Sequence, residues 1–465
     1  MSDVGTLVIF GASGDLTKRL LLPGLGSLLG SSDDRESALA DDLVILGSGR
    51  SEKSTDEWRS AVREGLVEGG AGDDAAASLA QHADYVAGDP TDKADLERIL
   101  GSVTGIPVLY FALPPSVVTD VIDVLADIEL PKGTILALEK PFGSDTRSAA
   151  ALNRKIAKIV PEHQVHRIDH FLGEPTVLGL LGMRFAGRIL EPVWNAENIE
   201  RVEIVYDEQL GLEGRAGYYD GAGALVDMLQ SHLLQLLSII AMEPPISIDE
   251  DDFRNSTAQV LKATRVWTGE PVLHSTDAPS RRARYTAGTI DGRTLPSYVD
   301  EEGVDPSRET ETLAEMVVEV NTRRFAGVPF TLRSGKAIAE PRRQIEVHFR
   351  APAFVPHGLT GKRVPERFVI GIHPQVFELD FAVNGEKDPF HLDRATLETE
   401  VASPELTQYG EVLRGVLAGD PTLSVRGDVA EQCWRIVTPV LEAWRSGDVP
   451  LDSYRAGSHG PTDWR

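Results

Sequence analysis

His170, His232 and Asp169 stand out as residues that could move protons. The stretch HRIDHFLGEP, residues 166–175, places Asp169 directly before His170 and adds an acid, Glu174, four residues later. A further histidine, His232, lies in the apolar helical segment DMLQSHLLQLL. Histidine acts as a general base when a neighbouring group holds its ring in place, although buried histidines are also common as hydrogen-bonded core residues.

The carboxylate that would orient His232 is not supplied by its own helix. Asp227 precedes His232 by five residues, and at ~3.6 residues per turn this spacing separates the two side chains by about 140°. We therefore predict that Asp227 and His232 flank the helix, and that Asp169 is the natural candidate for the orienting carboxylate.

A glycine loop near the start of the chain could bind a dinucleotide. The sequence GASGDL, from Gly11 to Leu16, follows an apolar strand and opens a helix, with Ser13, Gly14 and Asp15 at the turn. Glycines let the backbone approach a pyrophosphate at the helix N-terminus. The spacing is G-x-x-G and not the full G-x-G-x-x-G fingerprint, so an ordinary turn is the alternative. Its place in the first strand–turn–helix unit favours the dinucleotide.

The end of the second strand indicates which dinucleotide is bound. An NAD site usually carries an acid there, whereas an NADP site offers an arginine for the 2′-phosphate. Here the strand ends LGSGRSEKS, with Ser48, Arg50 and Ser51 available. We predict NADP, and Glu52 leaves NAD possible as a secondary coenzyme.

Lys140 is placed where it could face a ligand. It ends an apolar strand in LEKPFG and precedes a proline, which favours extended backbone at the lysine. In open α/β sheets, ligands bind at the carboxyl edge of the strands. A surface lysine is the alternative, but this location favours a contact with a ligand.

These residues require a parallel sheet to position them. Apolar strands such as TLVIF, DLVILG, VLYFAL and TILALE alternate with helical stretches, which predicts βαβ units and a Rossmann-type dinucleotide-binding domain over residues 1–172. The segments MVVEVNTRRF, RQIEVHFRAP and VFELDFAV alternate with period two, after a long apolar helix. They predict an α+β domain over residues 173–465, built on a large, mostly antiparallel sheet. The fold class is therefore α/β plus α+β.

Composition limits the classes of partner. The chain has 465 residues and a formal charge of −26, which argues against a nucleic-acid or anionic-membrane partner. A single cysteine, Cys433, excludes an internal disulfide and suits a reducing compartment. We see no signal peptide and no apolar run near the ~18–20 residues of a membrane span, so we expect a cytoplasmic protein. No metal is expected, because His163, His166 and His170 fall in a loop-like stretch.

The chain resembles the glucose-6-phosphate dehydrogenase family over nearly its whole length. The matching segments occur in family order and are FGASGDLTKR, EKPFG, RIDHFLG, RFAGRILEPVWN, GYYDGAGALVDMLQSHLLQ, AMEPP, GVPFTLRSGKAI and YRAGSHGP. The resemblance implies a Rossmann-type domain followed by a large β+α domain. It also implies oxidation of the C1 hydroxyl of glucose 6-phosphate to a lactone with hydride transfer to NADP, the first step of the oxidative pentose phosphate pathway, without a metal.

The resemblance also assigns roles to individual residues. His232 matches the general base, and Asp169 matches the carboxylate that orients it. His170 matches a residue facing the substrate phosphate, and Lys140 one that contacts both substrate and coenzyme. Three further residues match sugar-binding positions in the family, namely Glu208, Asp227 and Lys336. Members of the family usually form dimers or tetramers through the large sheet, so a homo-oligomer is expected.

Three positions depart from the family pattern. The family signature is usually R-I-D-H-Y-L-G-K, and this chain has Phe171 where the signature has tyrosine and Glu174 where it has lysine. At a later position that is basic in the family, this chain has Pro341. A carboxylate beside a dianionic phosphate is repulsive. One alternative is that other groups hold the phosphate, while Glu174 is turned away from it, is paired with a basic residue, or is a solvated carboxylate salt-bridged to Arg167 or Arg184. The other alternative is that the substrate is a hexose without the 6-phosphate, such as an amino sugar whose ammonium group Glu174 would bind. The groups that could replace the missing contacts are His170, Lys140, Arg167, Arg342 and Arg343.

A third alternative is a catalytically silent homologue that serves as a regulatory or assembly subunit. Silent relatives tend to lose the residues of the chemistry as well as those of specificity. Because Asp169, His232 and Lys140 are all present, the sequence favours an active enzyme.

Overall fold

The structure is a computed structural model that describes residues 4–33, 43–274, 276–361, 365–385, 388–401 and 405–464. The chain forms two compact units. The first contains residues 1–174 together with 245–258 and 404–431, and the second contains residues 175–244, 259–403 and 432–465. Two later segments of the chain therefore return to the first unit.

The first unit is built on a six-stranded parallel sheet with the strand order β3-β2-β1-β4-β5-β6. Its strands are short and apolar, as expected where helices cover both faces of a parallel sheet. The strands are β1 (Val4–Phe10), β2 (Val44–Gly49), β3 (Ala83–Ala87), β4 (Ile106–Phe111), β5 (Ile135–Glu139) and β6 (Val165–Ile168).

Helices connect these strands, and some of them begin at clear capping residues. Ser54 and Glu57 form a reciprocal capping box at the start of the second helix, and Asp145 with Ser148 does the same for the sixth. A π-helical turn, Thr17–Leu21, leads into the first helix. The helices are α1 (Leu22–Leu29), α2 (Thr55–Glu68), α3 (Asp73–Gln81), α4 (Lys93–Leu100), α5 (Pro115–Leu125) and α6 (Thr146–Ile156).

A helix from late in the chain completes the core of the first unit. This helix, α11 (Gln408–Ala418), buries Tyr409, Leu413 and Leu417 in the same apolar cluster as strands β1 and β2. Its N-cap, Thr407, accepts a hydrogen bond from the backbone N–H of Gly410. Because this segment returns to the first unit, Gln408 contacts Glu174 of the 166–175 stretch, although the two are more than 230 residues apart in sequence.

The second unit is built on an eleven-stranded sheet. Ten strands follow the order β15-β18-β17-β16-β14-β7-β13-β12-β9-β19, and β8 pairs with β12. Most pairs are antiparallel, and β7–β13, β9–β19 and β15–β18 are parallel. The strands are β7 (Ile199–Asp207), β8 (Thr264–Val266), β9 (Ser280–Thr286), β12 (Leu313–Val320), β13 (Pro329–Gly335), β14 (Arg343–Phe349), β15 (Thr360–Gly361), β16 (Arg367–Gly371), β17 (Val376–Asn384), β18 (His391–Glu400) and β19 (Leu451–Arg455). A separate hairpin joins β10 (Gly288–Ile290) and β11 (Arg293–Leu295).

The helices of the second unit include the segment that carries His232. This segment starts as α8 (Ala216–Ala224), continues as a π-helical stretch Leu225–Leu233, and ends as α9 (Leu234–Ala241). A kink at Gly223, with φ of 69°, separates α8 from the remainder. The unit also contains α7 (Pro175–Leu181), and two helices run across the boundary between the units, α10 (Asp252–Ala263) and α12 (Gly427–Arg445).

The prediction that no apolar run approaches the length of a membrane span is wrong for this helical segment. Ala216–Ala241 does reach the length and hydropathy of a membrane span, and 89% of its most apolar window is buried inside the protein. The buried core helix of a globular domain passes the same test, because both are apolar all round.

The predicted fold class is confirmed. The first unit has the parallel sheet expected from the βαβ pattern, and the second has the large, mostly antiparallel sheet expected from the period-two segments. Local patterns were sufficient here because strands such as β1, β4 and β5 are apolar runs that are largely buried.

Candidate active site

The glycine loop is held by the backbone of the neighbouring strand. The N–H groups of Gly11 and Ala12 both donate to the carbonyl of Ser48, at 2.9 and 3.0 Å. The N–H of Gly14 then donates to the carbonyl of Gly11 at 2.9 Å, which closes the turn. The side chain of Thr17 donates to the same Gly11 carbonyl at 3.2 Å. The loop is therefore shaped before any ligand binds.

This loop fits a dinucleotide. Gly11 has a φ of +85°, and a Cβ atom there would overlap the carbonyl oxygen of Ala112. Helical backbone starts at Asp15, and the first N–H groups of a helix have no partner within it. Ser13 and Asp15 are exposed beside these groups. A compact turn with N–H groups at a helix start is a suitable cradle for a pyrophosphate.

The end of β2 fits a coenzyme phosphate. Ser48 is buried, and its hydroxyl has no hydrogen-bond partner among the residues that the structure describes. Arg50 is exposed, while the backbone around it is fixed by hydrogen bonds from Gly88 to Gly49 and from the Tyr85 hydroxyl to Ser51. β2 itself ends without an acid.

Lys140 follows a buried carboxyl group. Glu139, the last residue of β5, accepts hydrogen bonds at Oε1 from the hydroxyls of Tyr110 at 2.5 Å and Tyr409 at 3.3 Å. Burial raises the pKa of Glu139 to about 7, opposed by the Tyr110 hydrogen bond, the charge of Lys140 and the Tyr409 hydrogen bond. Lys140 is half-buried at the carboxyl edge of the sheet, as the sequence predicted.

Asp169 and His170 lie at the end of β6. Asp169 is only 2% exposed, and its carboxylate accepts the backbone N–H of Phe171 at 3.1 Å. The ring of His170 stacks on the ring of Tyr409 with centroids 5.6 Å apart and an angle of 25° between planes. Phe171 contacts the same imidazole at 5.1 Å in a tilted arrangement. The orientation of His170 is therefore set on two sides by aromatic rings.

Glu174 is buried and does not form the predicted ion pairs. It is 1% exposed, and its carboxyl group accepts a hydrogen bond from the side-chain amide of Gln408. Burial raises the pKa of Glu174 to about 7, although the hydrogen bond from Gln408 lowers it. The reading of Glu174 as a solvated carboxylate paired with Arg167 or Arg184 is therefore wrong.

Both of those arginines have other partners. Arg167 is buried and donates to Glu162 at 2.7 Å and to Asn153 at 2.9 Å. Because these bonds hold the guanidinium away from solvent, Arg167 is not suited to bind a substrate phosphate. Arg184 donates to Glu191 and to the carbonyls at the end of the apolar helix, among them that of Ile240 at 3.0 Å.

His232 and Asp227 lie in the π-helical stretch of the second unit. His232 is 2% exposed and Asp227 is half-buried. In a π-helix the hydrogen bonds join residues five apart, so residues i and i+5 fall about one turn apart on one side. The prediction that the two residues flank the helix, about 140° apart, assumed α-helical geometry, and this stretch is π-helical instead.

The backbone of this stretch is fixed at its start by Glu311. The Glu311 carboxyl group is buried and accepts the N–H of Leu225 at 2.9 Å. Burial raises the pKa of Glu311 to about 7, opposed by the hydrogen bond from Leu225 and by further backbone hydrogen bonds. Any side chain at Gly223 would overlap this carboxyl group, so the kink requires glycine.

Lys336 and Glu208 form a pair within the second unit. The ammonium of Lys336 donates to the Glu208 carboxylate, and Lys336 is 6% exposed. The same ammonium lies 5.1 Å from the ring centroid of Tyr219, in a cation–π contact. The carbonyl of Lys336 accepts the hydroxyl of Tyr454 at 2.7 Å. The pair presents a fixed cation and a half-buried carboxylate, groups that bind sugar hydroxyls.

Two arginines considered as substitutes for Pro341 face other groups. Arg342 lies 3.8 Å from Glu203 and 3.9 Å from Glu346. Arg343 donates to the carbonyl of Asp207 at 3.1 Å and lies over the ring of Tyr206. These contacts leave His170 and Lys140 as the better candidates for a phosphate.

Sequence reasoning missed the residues that support the site. Tyr110, Gln408 and Tyr409 contact Glu139, His170 or Glu174, and Glu311 caps the stretch with His232. No motif marks them, because each acts through a contact between distant parts of the chain. The one available signal was the acid pair in RETETL, residues 308–313, whose glutamates sit among strand-forming residues. Among the described residues, no group of three or more His, Cys, Asp and Glu side chains could hold a metal ion.

The chain is similar to known proteins over almost its full length. Residues 8–178 match the family model for the glucose-6-phosphate dehydrogenase NAD binding domain, and residues 181–465 match the model for the C-terminal domain. A glucose-6-phosphate 1-dehydrogenase from Gluconobacter oxydans is 37% identical and one from Aggregatibacter actinomycetemcomitans is 35% identical, each over 98% of this chain and 94% of the relative. A solved glucose-6-phosphate dehydrogenase in complex with glucose-6-phosphate superposes with a TM-score of 0.83, at 31% identity over 99% of this chain and 96% of that one.

Proposed function

The chain belongs to the glucose-6-phosphate dehydrogenase family, and we propose that it oxidises the C1 hydroxyl of glucose 6-phosphate to 6-phosphogluconolactone with NADP. It is an oxidoreductase that uses a nicotinamide dinucleotide. The observation that carries the proposal is the match of residues 8–178 and 181–465 to the two family models, at 35–37% identity to relatives of that activity.

The coenzyme site is proposed at the carboxyl edge of the parallel sheet. The backbone from Gly11 to Leu16, which includes Ser13, Gly14 and Asp15, would hold the pyrophosphate. Ser48 and Arg50 would hold the 2′-phosphate, which is why we propose NADP in preference to NAD. Lys140 would contact both coenzyme and substrate. The bound coenzyme supplies the hydride acceptor for the reaction.

The proton is proposed to leave through His232. Its ring nitrogen would take the proton from the C1 hydroxyl as the C1 hydride is transferred. Asp169 is proposed to hold the imidazole in the required tautomer and to stabilise the imidazolium that forms. A proton acceptor and a hydride acceptor complete the oxidation of an alcohol, so the proposed reaction needs no metal.

The sugar is proposed to bind through carboxylate, lysine and histidine side chains. Glu208, Asp227 and Lys336 would bond its hydroxyls, and His170 with Lys140 would bind the 6-phosphate. Glu174 was considered as a substrate contact, but its burial against Gln408 supports a role in holding the chain. The same burial removes the basis for an amino-sugar substrate, because Glu174 would have to face the ligand.

The setting of the enzyme is also part of the proposal. The family resemblance supports a homodimer or homotetramer, and a cytoplasmic location is proposed with it. The partners are then small molecules, with neither nucleic acid nor membrane among them.

The function is tested by steady-state NADPH production. The purified protein is supplied with glucose 6-phosphate, glucose and glucosamine at matched concentrations, and NAD is compared with NADP. We expect strong preference for glucose 6-phosphate and for NADP. Preference for glucose or glucosamine would contradict the substrate, and no turnover with any sugar would indicate the silent homologue.

The proposed base is tested by replacement. His232→Asn should lower kcat by about 10²- to 10⁴-fold, the usual contribution of a general base, and should spare coenzyme binding measured by fluorescence. His163→Asn, at an exposed position in the other unit, is the matched control. Turnover retained by His232→Asn would rule out His232 as the base.

A further inference from the structure

The turn that carries His170 is held by the first two residues of helix α11. Residues His170–Gly173 form a short 3-10 turn, and Glu174 is the residue that follows it. Helix α11 begins at Gln408. The cap residue Thr407 donates its backbone N–H to the Ser27 hydroxyl at 3.2 Å, which ties the start of α11 to helix α1. Gln408 and Tyr409 therefore reach the turn from a fixed position.

Tyr409 fixes the His170 side of this turn. Its ring stacks on the imidazole at a centroid distance of 5.6 Å. Its hydroxyl donates to Glu139, which also accepts the hydroxyl of Tyr110. At the base of this side chain, α1 packs closely on α11, because a Cβ atom at Gly24 would lie 2.7 Å from Cβ of Tyr409. The ring is therefore a rigid surface for His170.

Gln408 fixes the other side of the turn. Its amide donates to the buried carboxyl of Glu174, and its backbone carbonyl would lie 3.3 Å from a Cβ atom at Gly173. The family signature has a phosphate-binding lysine at the position of Glu174. In this chain Glu174 instead anchors the turn to α11. With that lysine absent, binding of a phosphate depends more heavily on His170.

We propose that Tyr409 is a positioning residue that orients His170 toward the 6-phosphate of the substrate, with the Gln408–Glu174 hydrogen bond as its second anchor. This inference rests on the proposed role of His170. An imidazole that binds a phosphate oxygen must point one ring nitrogen at it, and a charge-assisted bond of this kind is short and directional. Stacking on Tyr409 removes the alternative rotamers before the substrate arrives.

The test separates phosphate recognition from general damage. Tyr409→Leu removes the ring, and kcat/KM is measured for glucose 6-phosphate and for glucose. We expect the ratio of the two values to fall by about 3- to 10-fold, the cost of ordering one side chain during binding. Tyr409→Phe keeps the stack and should reduce the ratio by at most about 2-fold. An unchanged ratio in Tyr409→Leu would overturn the proposal.

The control variant lies one turn further along the same helix. Leu413→Ala creates a cavity in the same apolar core and should lower stability while it leaves the ratio unchanged. A fall in the ratio for Leu413→Ala as large as that for Tyr409→Leu would show a purely structural effect and would overturn the proposal. Should Tyr409→Leu fail to fold, Tyr409→Met, which also lacks a ring and has a longer, more flexible side chain, replaces it.

His170→Asn distinguishes failure of this inference from failure of the proposed function. If His170 binds the phosphate, His170→Asn lowers the ratio by itself, and adding Tyr409→Leu lowers it no further. A large effect of His170→Asn with none from Tyr409→Leu overturns only the positioning role. A ratio unaffected by His170→Asn overturns the phosphate contact itself, and this inference with it.

Discussion

The buried carboxyl group of Glu311 accepts a hydrogen bond from the backbone N–H of Leu225 at 2.9 Å. Leu225 lies two residues after the kink at Gly223 and begins the π-helical stretch that carries Asp227 and His232. A side chain from the loop before β12 thus supplies the cap that the kinked chain cannot supply itself. The position of the proposed base depends on this cap.

Removal of the cap should weaken both folding and catalysis. We expect Glu311→Ala to lower the free energy of unfolding by about 1–3 kcal/mol, because a buried N–H loses its partner, and to lower kcat. Glu311→Gln retains a carbonyl acceptor of the same length and should remain close to the wild type. Urea unfolding and initial rates check both variants. Equal damage from Gln and Ala would show that the negative charge, and not the cap, is what matters.

The glycine loop should tolerate a methyl group at one glycine and not at the other. Gly11→Ala places Cβ in the carbonyl of Ala112 at a φ of +85°, and should cost about 1–3 kcal/mol of stability together with most coenzyme affinity. Gly14 has an ordinary φ, and a Cβ there would lie 3.1 Å from the nearest atom outside its chain neighbours. Gly14→Ala should therefore cost less stability. Thermal unfolding of both variants tests this prediction, and we expect a lower midpoint temperature for Gly11→Ala. Equal midpoint temperatures would contradict the argument from backbone strain at Gly11.

Arg50 should discriminate between the two coenzymes. Because an arginine–phosphate hydrogen bond contributes about 1.5–3 kcal/mol, Arg50→Ala should lower kcat/KM for NADP by roughly 10- to 100-fold. The value for NAD should change little, since NAD lacks the 2′-phosphate. Arg63→Ala, at another exposed arginine of the same unit that pairs with Asp73, is the control. A parallel loss with NAD and NADP would place Arg50 elsewhere in the site.

Glu174 should make the stability of the protein depend on pH. Its pKa of about 7 in the folded state exceeds the ordinary value of 4.5, because burial disfavours the charged form. Between these two values the unfolded chain releases a proton that the folded chain retains, so the contribution to stability falls as pH rises from about 4.5 to 7. Below that window and above it, the contribution is constant.

The matching variant is Glu174→Gln, which stays neutral at every pH and keeps an acceptor for Gln408. Unfolding is measured for both proteins from pH 4.5 to 8. The stability of the wild type relative to Glu174→Gln should decline through this range and level off above pH 7. Identical pH profiles would show that Glu174 titrates normally.

The sequence by itself determined the elements and the local chemistry of the site. The glycine loop, the positive end of β2 and the place of Lys140 after β5 were all predicted, because each depends on residues within about ten positions of one another. Local rules govern such features: glycine permits a positive φ, apolar runs form buried strands, and proline ends them. The fold class followed from the same patterns.

Only the tertiary structure decided how the site is supported. Glu174 was expected to turn away from a phosphate, to pair with a basic residue or to bind an amino sugar, and it is buried against Gln408 from more than 230 residues away. His232 and Asp227 were expected to flank an α-helix, about 140° apart, whereas the chain adopts π-helical geometry after a kink that Glu311 accommodates. Such contacts depend on how separate segments pack, and packing is not encoded in any short stretch. Burial, which also follows from packing, then sets the pKa of each buried carboxyl group.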